Sequence, residues 1–195
     1  PAIFLSNMAV YKLLTEAGIK ADYMIGHSLG EVTSFYAGEI LDLKSAIHMV
    51  GDRGYCFDKI EQDKRGQMLS VKADKNEVAR IINENGINVR IANMNSYVQT
   101  IVGGEASEIE RFMKLMSDNN ITHTLLNVSH AFHTELIKEA AEDFYIKIRD
   151  LRFNKPKAKI MACHLNEFYS DIADMGSLLK DQITSPVNFI DSIEK

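Results

Sequence analysis

The chain has no apolar run approaching the roughly 18 residues that a membrane-crossing helix needs, although 46% of it is hydrophobic. That excludes a transmembrane helix and predicts a globular protein with no membrane partner. It also lacks a basic lead before an apolar stretch, since it opens Pro1-Ala2-Ile3-Phe4, so no secretory signal is expected and a cytoplasmic location follows as the default. Cysteine is scarce. Cys56 and Cys163 lie far apart and match no metal-binding or redox spacing, so they are expected as buried free thiols, with no metal site. There is no basic excess either; a net charge of −5 argues against a nucleic-acid surface. Neither an internal repeat nor a low-complexity tract is present. What remains is 195 residues, enough for one domain with a smaller subdomain and a sizeable core.

Residues 2–17 read as a helix with Ile3, Leu5, Met8, Tyr11 and Leu14 near one stripe and Gly18 as its stop. Residues 22–26 read as a short strand and residues 28–38 as a helix. A third helix is expected from Leu41-Asp42 through Ile60, with Asp42 as cap and Gly51 and Gly54 permitting close packing. Residues 62–66 read as a loop. The texture then changes to MLSVK as strand, KNEVARIINEN as helix, NVRIANMNS and YVQTIVGG as strands, EASEIERFMKLMSDNN as helix and ITHTLLNV as strand. This βαββαβ order is that of the ferredoxin-like unit. It predicts a small subdomain over residues 67–128, inserted in an α/β body made of residues 1–66 and 129–195. Within the second part of the body, residues 134–151 read as one long helix, AKIMAC as a strand and MGSLLKDQI as a helix closed by Pro186.

One motif carries chemistry. Gly26-x-Ser28-x-Gly30 follows a strand and opens a helix, the context of a nucleophile elbow. Glycines on both sides would let the chain turn tightly and project the serine hydroxyl, while the Leu29 amide and the helix dipole would face the oxygen of a bound acyl group. A serine hydroxyl is hardly ionised at neutral pH, so a base must lie within hydrogen-bond reach. His27 adjoins the serine and is expected to point away along the turn. His48 falls inside the third helix, His123 in a strand of the subdomain, and His164 at a strand end with a structural role. His130 and His133 lie in Ser129-His130-Ala131-Phe132-His133, where the subdomain returns the chain to the body and junction loops line clefts. From spacing alone, either of the two could be the base, or neither.

GHSLGE, the arginine of GDRGYCFD and the later VSHAFHTELI together resemble the acyltransferase domain of polyketide synthases and the malonyl-CoA:acyl carrier protein transacylases. The resemblance extends to PAIFLSNMAVYKLLTEAGIKAD, IANMNSYVQTIVGG and KDQITSPVNFIDSIEK, so it covers essentially the whole chain. It implies a hydrolase-like α/β body with an inserted ferredoxin-like subdomain. It implies Ser28 as acyl acceptor, His133 as base and the Leu29 amide as one oxyanion donor. Arg53 would pair with the free carboxylate of a malonyl group, and the Gln182 main-chain carbonyl would orient the base. Asn93, Asn95 and His27 would lie at the substrate cleft. Phe132, beside the acyl α-carbon, would disfavour a branched extender by about 1–3 kcal/mol. The arginine's planar fork suits a carboxylate held by two parallel hydrogen bonds.

The implied substrate is malonyl-CoA, and the implied partner is an acyl carrier protein, with the phosphopantetheine thiol as final acceptor. Ketosynthase and other synthase domains are possible neighbours, and no permanently bound cofactor is implied. Members of the family also carry an N-terminal strand with a glycine-rich, glutamine-containing motif that supplies the second oxyanion amide. Nothing like it precedes Pro1, so a chain truncated at the N-terminus and short of a last helix is expected. Two rival functions stay open on the sequence: a hydrolase that clears misloaded carriers, and a non-catalytic docking module for a carrier protein. An unrelated α/β-hydrolase fits poorly, because no motif marks an acidic third member of a triad.

Overall fold

A computed structural model of the chain describes residues 1–170 and 174–195. It is a mixed α/β fold with two sheets. The body begins with α1 (Ala2–Glu16), β1 (Tyr23–Ile25), α2 (Gly30–Ala37) and α3 (Leu43–Asp58). It resumes with α6 (Lys138–Ile148), β6 (Lys159–Ala162), β7 (Glu167–Phe168), α7 (Met175–Thr184) and α8 (Phe189–Glu194). Between the two parts lie β2 (Gln67–Val71), α4 (Lys75–Asn85), β3 (Val89–Ser96), β4 (Gln99–Gly104), α5 (Ala106–Asp118) and β5 (His123–Leu125).

In the body sheet, of order β1-β6-β7, β1 pairs in parallel with β6 and β7 returns antiparallel. Strands so distant in sequence become neighbours because both present apolar residues to one core, in which Phe35, Ile40, Met49, Phe144 and Ile160 are fully buried. The inserted sheet is antiparallel, in the order β3-β4-β2-β5 expected of a ferredoxin-like unit. Its helices cover one face. Val78, Ile81 and Ile82 of α4, and Ile109, Phe112 and Met116 of α5, recur at helical spacing and bury against Leu69 and Val102. Asp74 caps α4 by accepting from the Asn76 and Glu77 amides, and Gly86 ends it at φ 57°. The two units are tied where the chain leaving α7 meets β3: the Met94 amide donates to the Val187 carbonyl and the Val187 amide to the Ala92 carbonyl, each at 2.9 Å.

Several expectations need correction. The apolar stripe of α1 is largely open, with Ile3 and Leu5 more than half exposed; the residues that pack on the core are Phe4 and Met8, an i, i+4 pair, with Tyr11 partly buried one turn further on. Tyr11 also donates to the Ala37 carbonyl. Gly51 and Gly54 serve no close approach, since a Cβ at either would meet nothing within 4 Å. Residues 134–151 are a 3₁₀ turn, Glu135–Ile137, followed by the shorter α6. The strand read over residues 121–128 pairs only at His123–Leu125, opposite Leu69–Val71. Neither β7 nor α8 was anticipated. Asp42 caps α3 as expected, accepting from the Ser45 amide at 2.7 Å, and both cysteines are buried and free.

Candidate active site

Ser28 occupies the turn between β1 and α2 with φ 54°, a left-handed conformation that a non-glycine residue adopts only under constraint from its surroundings. The flanking glycines differ in what they do. A Cβ at Gly26 would lie 2.2 Å from the Glu31 nitrogen, so the turn closes only over a bare backbone. A Cβ at Gly30 would meet nothing within 4 Å, which corrects the expectation that both glycines relieve clashes. Leu29 is the N-cap of α2, so its amide sits at the positive end of that helix.

The Ser28 hydroxyl lies 2.7 Å from His133 Nε2. His133 also has positive φ, 61°, and is 3% exposed. Its Nδ1 faces two carbonyl oxygens, of Gln182 at 3.0 Å and of Ser185 at 3.1 Å. Carbonyls only accept, so Nδ1 carries the proton, and in the neutral ring Nε2 is the acceptor for the serine hydroxyl. Burial, and then the nearby positive Arg53, push the imidazole down to about 3 and keep it neutral. Gln182 acts twice, because its side-chain amide donates to the Ser28 carbonyl at 2.9 Å.

Arg53, on α3, is buried and directs Nη2 towards the Ser28 hydroxyl at 3.4 Å. Burial lowers it to about 10, which leaves it charged at neutral pH. Its Nε has no hydrogen-bond partner among the described residues. The guanidinium carbon lies 5.5 Å from the centroid of Phe57, and Phe57 meets Phe132 edge-on at 5.1 Å. A buried cation with an unused donor, beside a serine hydroxyl, is suited by charge and geometry to accept an anionic group.

The other residues singled out from the sequence fall around this centre. His27 lies outside the hydroxyl's reach, with Nε2 2.8 Å from Asn95 Oδ1 and its ring on Phe189; it bridges the elbow to β3 of the inserted unit. Asn93 is buried where β3 meets Val187. His130 bonds Ser129 through Nδ1 and packs on Phe57 and Phe132, so of the two junction histidines only His133 meets the serine. His48 is exposed and His123 bonds the Ile121 carbonyl. His164 is buried enough to be pushed down to about 4.

Three neighbours escaped sequence reasoning: Glu31, Tyr169 and Ser185. Glu31 is a carboxylate in the first turn after the elbow, yet fully buried, where helix periodicity puts the inner face beside Val32 and Phe35. Its place inside GHSLGE was the available signal.

A cleft of about 720 Å³ opens between α1 and the elbow, lined by Asn7, Ile25, His27, Ser28, Leu29 and Thr33. A larger one of about 1190 Å³ lies elsewhere, against the end of α3 and the starts of α5 and α6, and contains none of these site residues, so size does not mark the chemistry. No group of side chains suited to a metal ion occurs among the described residues, and no described helix is long and apolar enough to cross a membrane.

A sequence profile of the acyl transferase domain matches residues 1–194. The chain is 30% identical, over 200 residues and its full length, to the malonyl CoA-acyl carrier protein transacylase of Bacillus subtilis, and spans 63% of that protein. It is 33% identical over 175 residues, 90% of its length, to norsolorinic acid synthase of Dothistroma septosporum, of which it spans 7%. The solved malonyl CoA-acyl carrier protein transacylase of Clostridium perfringens superposes with a TM-score of 0.92 at 28% identity, over all of this chain and 63% of that one. A malonyl-transacylase solved in complex with a type II polyketide synthase acyl-carrier protein superposes with a TM-score of 0.91 at 26% identity, over all of this chain and 64% of that one.

Proposed function

This chain belongs to the acyl transferase domain family, and from that premise we propose that it moves a malonyl group from malonyl-CoA, through an ester on Ser28, to the phosphopantetheine thiol of an acyl carrier protein. Malonyl transacylases are among the relatives that match along the chain's whole length, and one structural relative was solved with its carrier. The observation that carries the reading is the convergence of three groups from distant segments: the Ser28 hydroxyl, 2.7 Å from His133 Nε2 and 3.4 Å from Arg53.

In the first half-reaction Ser28 Oγ passes its proton to His133 Nε2 and attacks the thioester carbon. Negative charge gathers on the carbonyl oxygen, towards the Leu29 amide at the head of α2. Collapse breaks the carbon–sulfur bond, and the departing coenzyme A thiolate takes the proton from Nε2. In the second half the carrier thiol gives its proton to His133 and attacks the ester; Ser28 Oγ leaves and recovers that proton. Arg53 holds the malonyl carboxylate and thereby fixes the carbonyl against Oγ. Phe132, seated on Phe57, shapes the space around the acyl α-carbon. The Gln182 and Ser185 carbonyls orient the base, while Asn93 and Asn95 of β3, with His27 of the elbow, form a polar wall of the cleft. This division of labour agrees with a two-part body, residues 1–66 and 129–195, around an inserted unit of residues 67–128.

Incubation with radioactive malonyl-CoA tests the reading. The protein should retain label that a carrier thiol removes as acyl-carrier, and Ser28→Ala should retain none. Label persisting on Ser28→Ala would overturn the nucleophile, and release as free malonate in the presence of carrier would replace transfer by hydrolysis.

A further inference from the structure

Beneath the elbow lies a carboxylic acid that the transfer chemistry does not use. Glu31 follows Gly30 in the first turn of α2 and has no solvent exposure. One oxygen accepts from the Cys163 amide, at the end of β6, at 3.2 Å; the other accepts from the Tyr169 hydroxyl at 2.5 Å. Its own amide donates to the Ser28 carbonyl at 3.0 Å, the same carbonyl that receives the Gln182 side chain. Cys163 in turn points its thiol at the Gly26 carbonyl. Glu31 therefore joins the end of β6 and Tyr169, through its side chain, to the turn that holds Ser28 at positive φ, through its backbone.

We propose that Glu31 is the positioning residue for Ser28: its ionised carboxylate binds the Cys163 amide and the Tyr169 hydroxyl to the first turn of α2, and so holds the elbow where Oγ meets His133. The inference rests on the Ser28 and His133 roles given above. A carboxylate accepts at both oxygens, whereas the protonated acid must donate from one of them, and Glu31 is met by donors on both sides. Protonation thus turns the Tyr169 hydroxyl from donor to acceptor and replaces two charge-assisted bonds by neutral ones, which loosens the brace.

The groups facing Glu31 leave it alone in changing charge near neutrality. Burial raises Glu31 to about 7, against the hydrogen bonds of Tyr169, Cys163 and Gln182 and the charge of Arg53. The Tyr169 phenol is pushed well above its ordinary value and the Cys163 thiol up to about 12, so both stay protonated. Arg53 keeps its charge, Gln182 has none to lose, and His133 is already neutral.

The test is the rate at which a fluorophosphonate modifies Ser28 in the full chain between pH 5 and 9, beside malonyl transfer at each pH. The wild type should speed up roughly ten- to hundredfold through a midpoint near 7. Glu31→Gln, which cannot ionise, should show a flat profile near the wild type's low-pH level. Tyr169→Phe removes a donor that favours the anion and should move the midpoint to higher pH. A Glu31→Gln protein with the wild-type midpoint and amplitude overturns the proposal; should that variant fail to fold, an unmoved midpoint in Tyr169→Phe does so alone. A wild type that reacts with the probe along this profile but transfers no malonyl refutes the substrate reading and leaves Glu31's role standing. A Ser28 unreactive at every pH overturns both.

Discussion

Replacing Arg53 by alanine should separate recognition of the acyl group from activation of the serine. The guanidinium is buried and charged, with Nη2 near the Ser28 hydroxyl and Nε without a partner among the described residues. Truncating one side of a buried, hydrogen-bonded charge pair costs roughly 2–5 kcal/mol, and each 1.4 kcal/mol is tenfold in rate. Taking about 3 kcal/mol, kcat/KM for malonyl-CoA should fall by about two orders of magnitude. Acetyl-CoA has no carboxylate to lose, and Arg53 acts against His133 by opposing its protonation. Removing that charge raises the basicity of the imidazole, so acetyl loading should hold within about fivefold or improve. The assay is loading of Ser28 from each thioester, with thermal melting as a check on folding. A malonyl-to-acetyl ratio of kcat/KM equal to that of the wild type would refute the reasoning, whatever the absolute rates.

The two glycines of the elbow should respond oppositely. Gly26→Ala forces a Cβ to 2.2 Å from backbone and should cost several kcal/mol or prevent folding, whereas Gly30→Ala should melt within a few degrees of the wild type; equal losses would dissolve the distinction. Stability should fall as pH drops from about 6.5 towards 3, because the unfolded chain binds a proton at His133 that the folded one refuses. Glu31 works with the opposite sign: its carboxyl is raised in the fold, so its stabilising protonated form is lost as pH rises through about 7. Melting of Glu31→Gln measured against wild type should therefore shift in the variant's favour between pH 5 and 8; a constant difference would refute the assignment.

The inserted unit was legible because its signals are local. The Val78-Ile81-Ile82 and Ile109-Phe112-Met116 spacings, the Asp74 cap and the Gly86 stop can each be read within one element. The body was less so. The exposed apolar positions of α1 cannot be told from buried ones by period alone, and β7 is too short to show one. At the site, GxSxG announced Ser28, but choosing between His130 and His133 from spacing was impossible: they are three residues apart, and only the turn at positive φ aims the second at the serine. The motif resemblance supplied that choice, along with Arg53 and Gln182. Glu31 stayed hidden for another reason. A glutamate in a helix's first turn is read as a solvated dipole partner, and only tertiary packing by Tyr169 and Cys163 turns it inward.

The charge balance of the centre bears on why an anionic acyl group should suit it. Where a serine triad sets a carboxylate behind its histidine, His133 has two neutral carbonyls. They fix the tautomer and the ring plane, yet carbonyl dipoles compensate an imidazolium far less than a full negative charge does. Arg53 adds to the deficit. With the imidazole held at about 3, proton transfer from Ser28 is unfavourable in the empty site. A malonyl carboxylate on Arg53 would cancel the opposing charge just as the thioester reached Oγ, and the developing oxyanion would add negative charge nearby. On this reading the carboxylate both anchors the substrate and makes His133 a competent base, so an acyl group without it loses orientation and proton transfer together. Supplying a small free carboxylate such as acetate or formate alongside a short uncharged thioester should then raise the loading rate of the wild type. The same addition should do nothing for Arg53→Ala; equal effects on both proteins would show that Arg53 only binds the substrate.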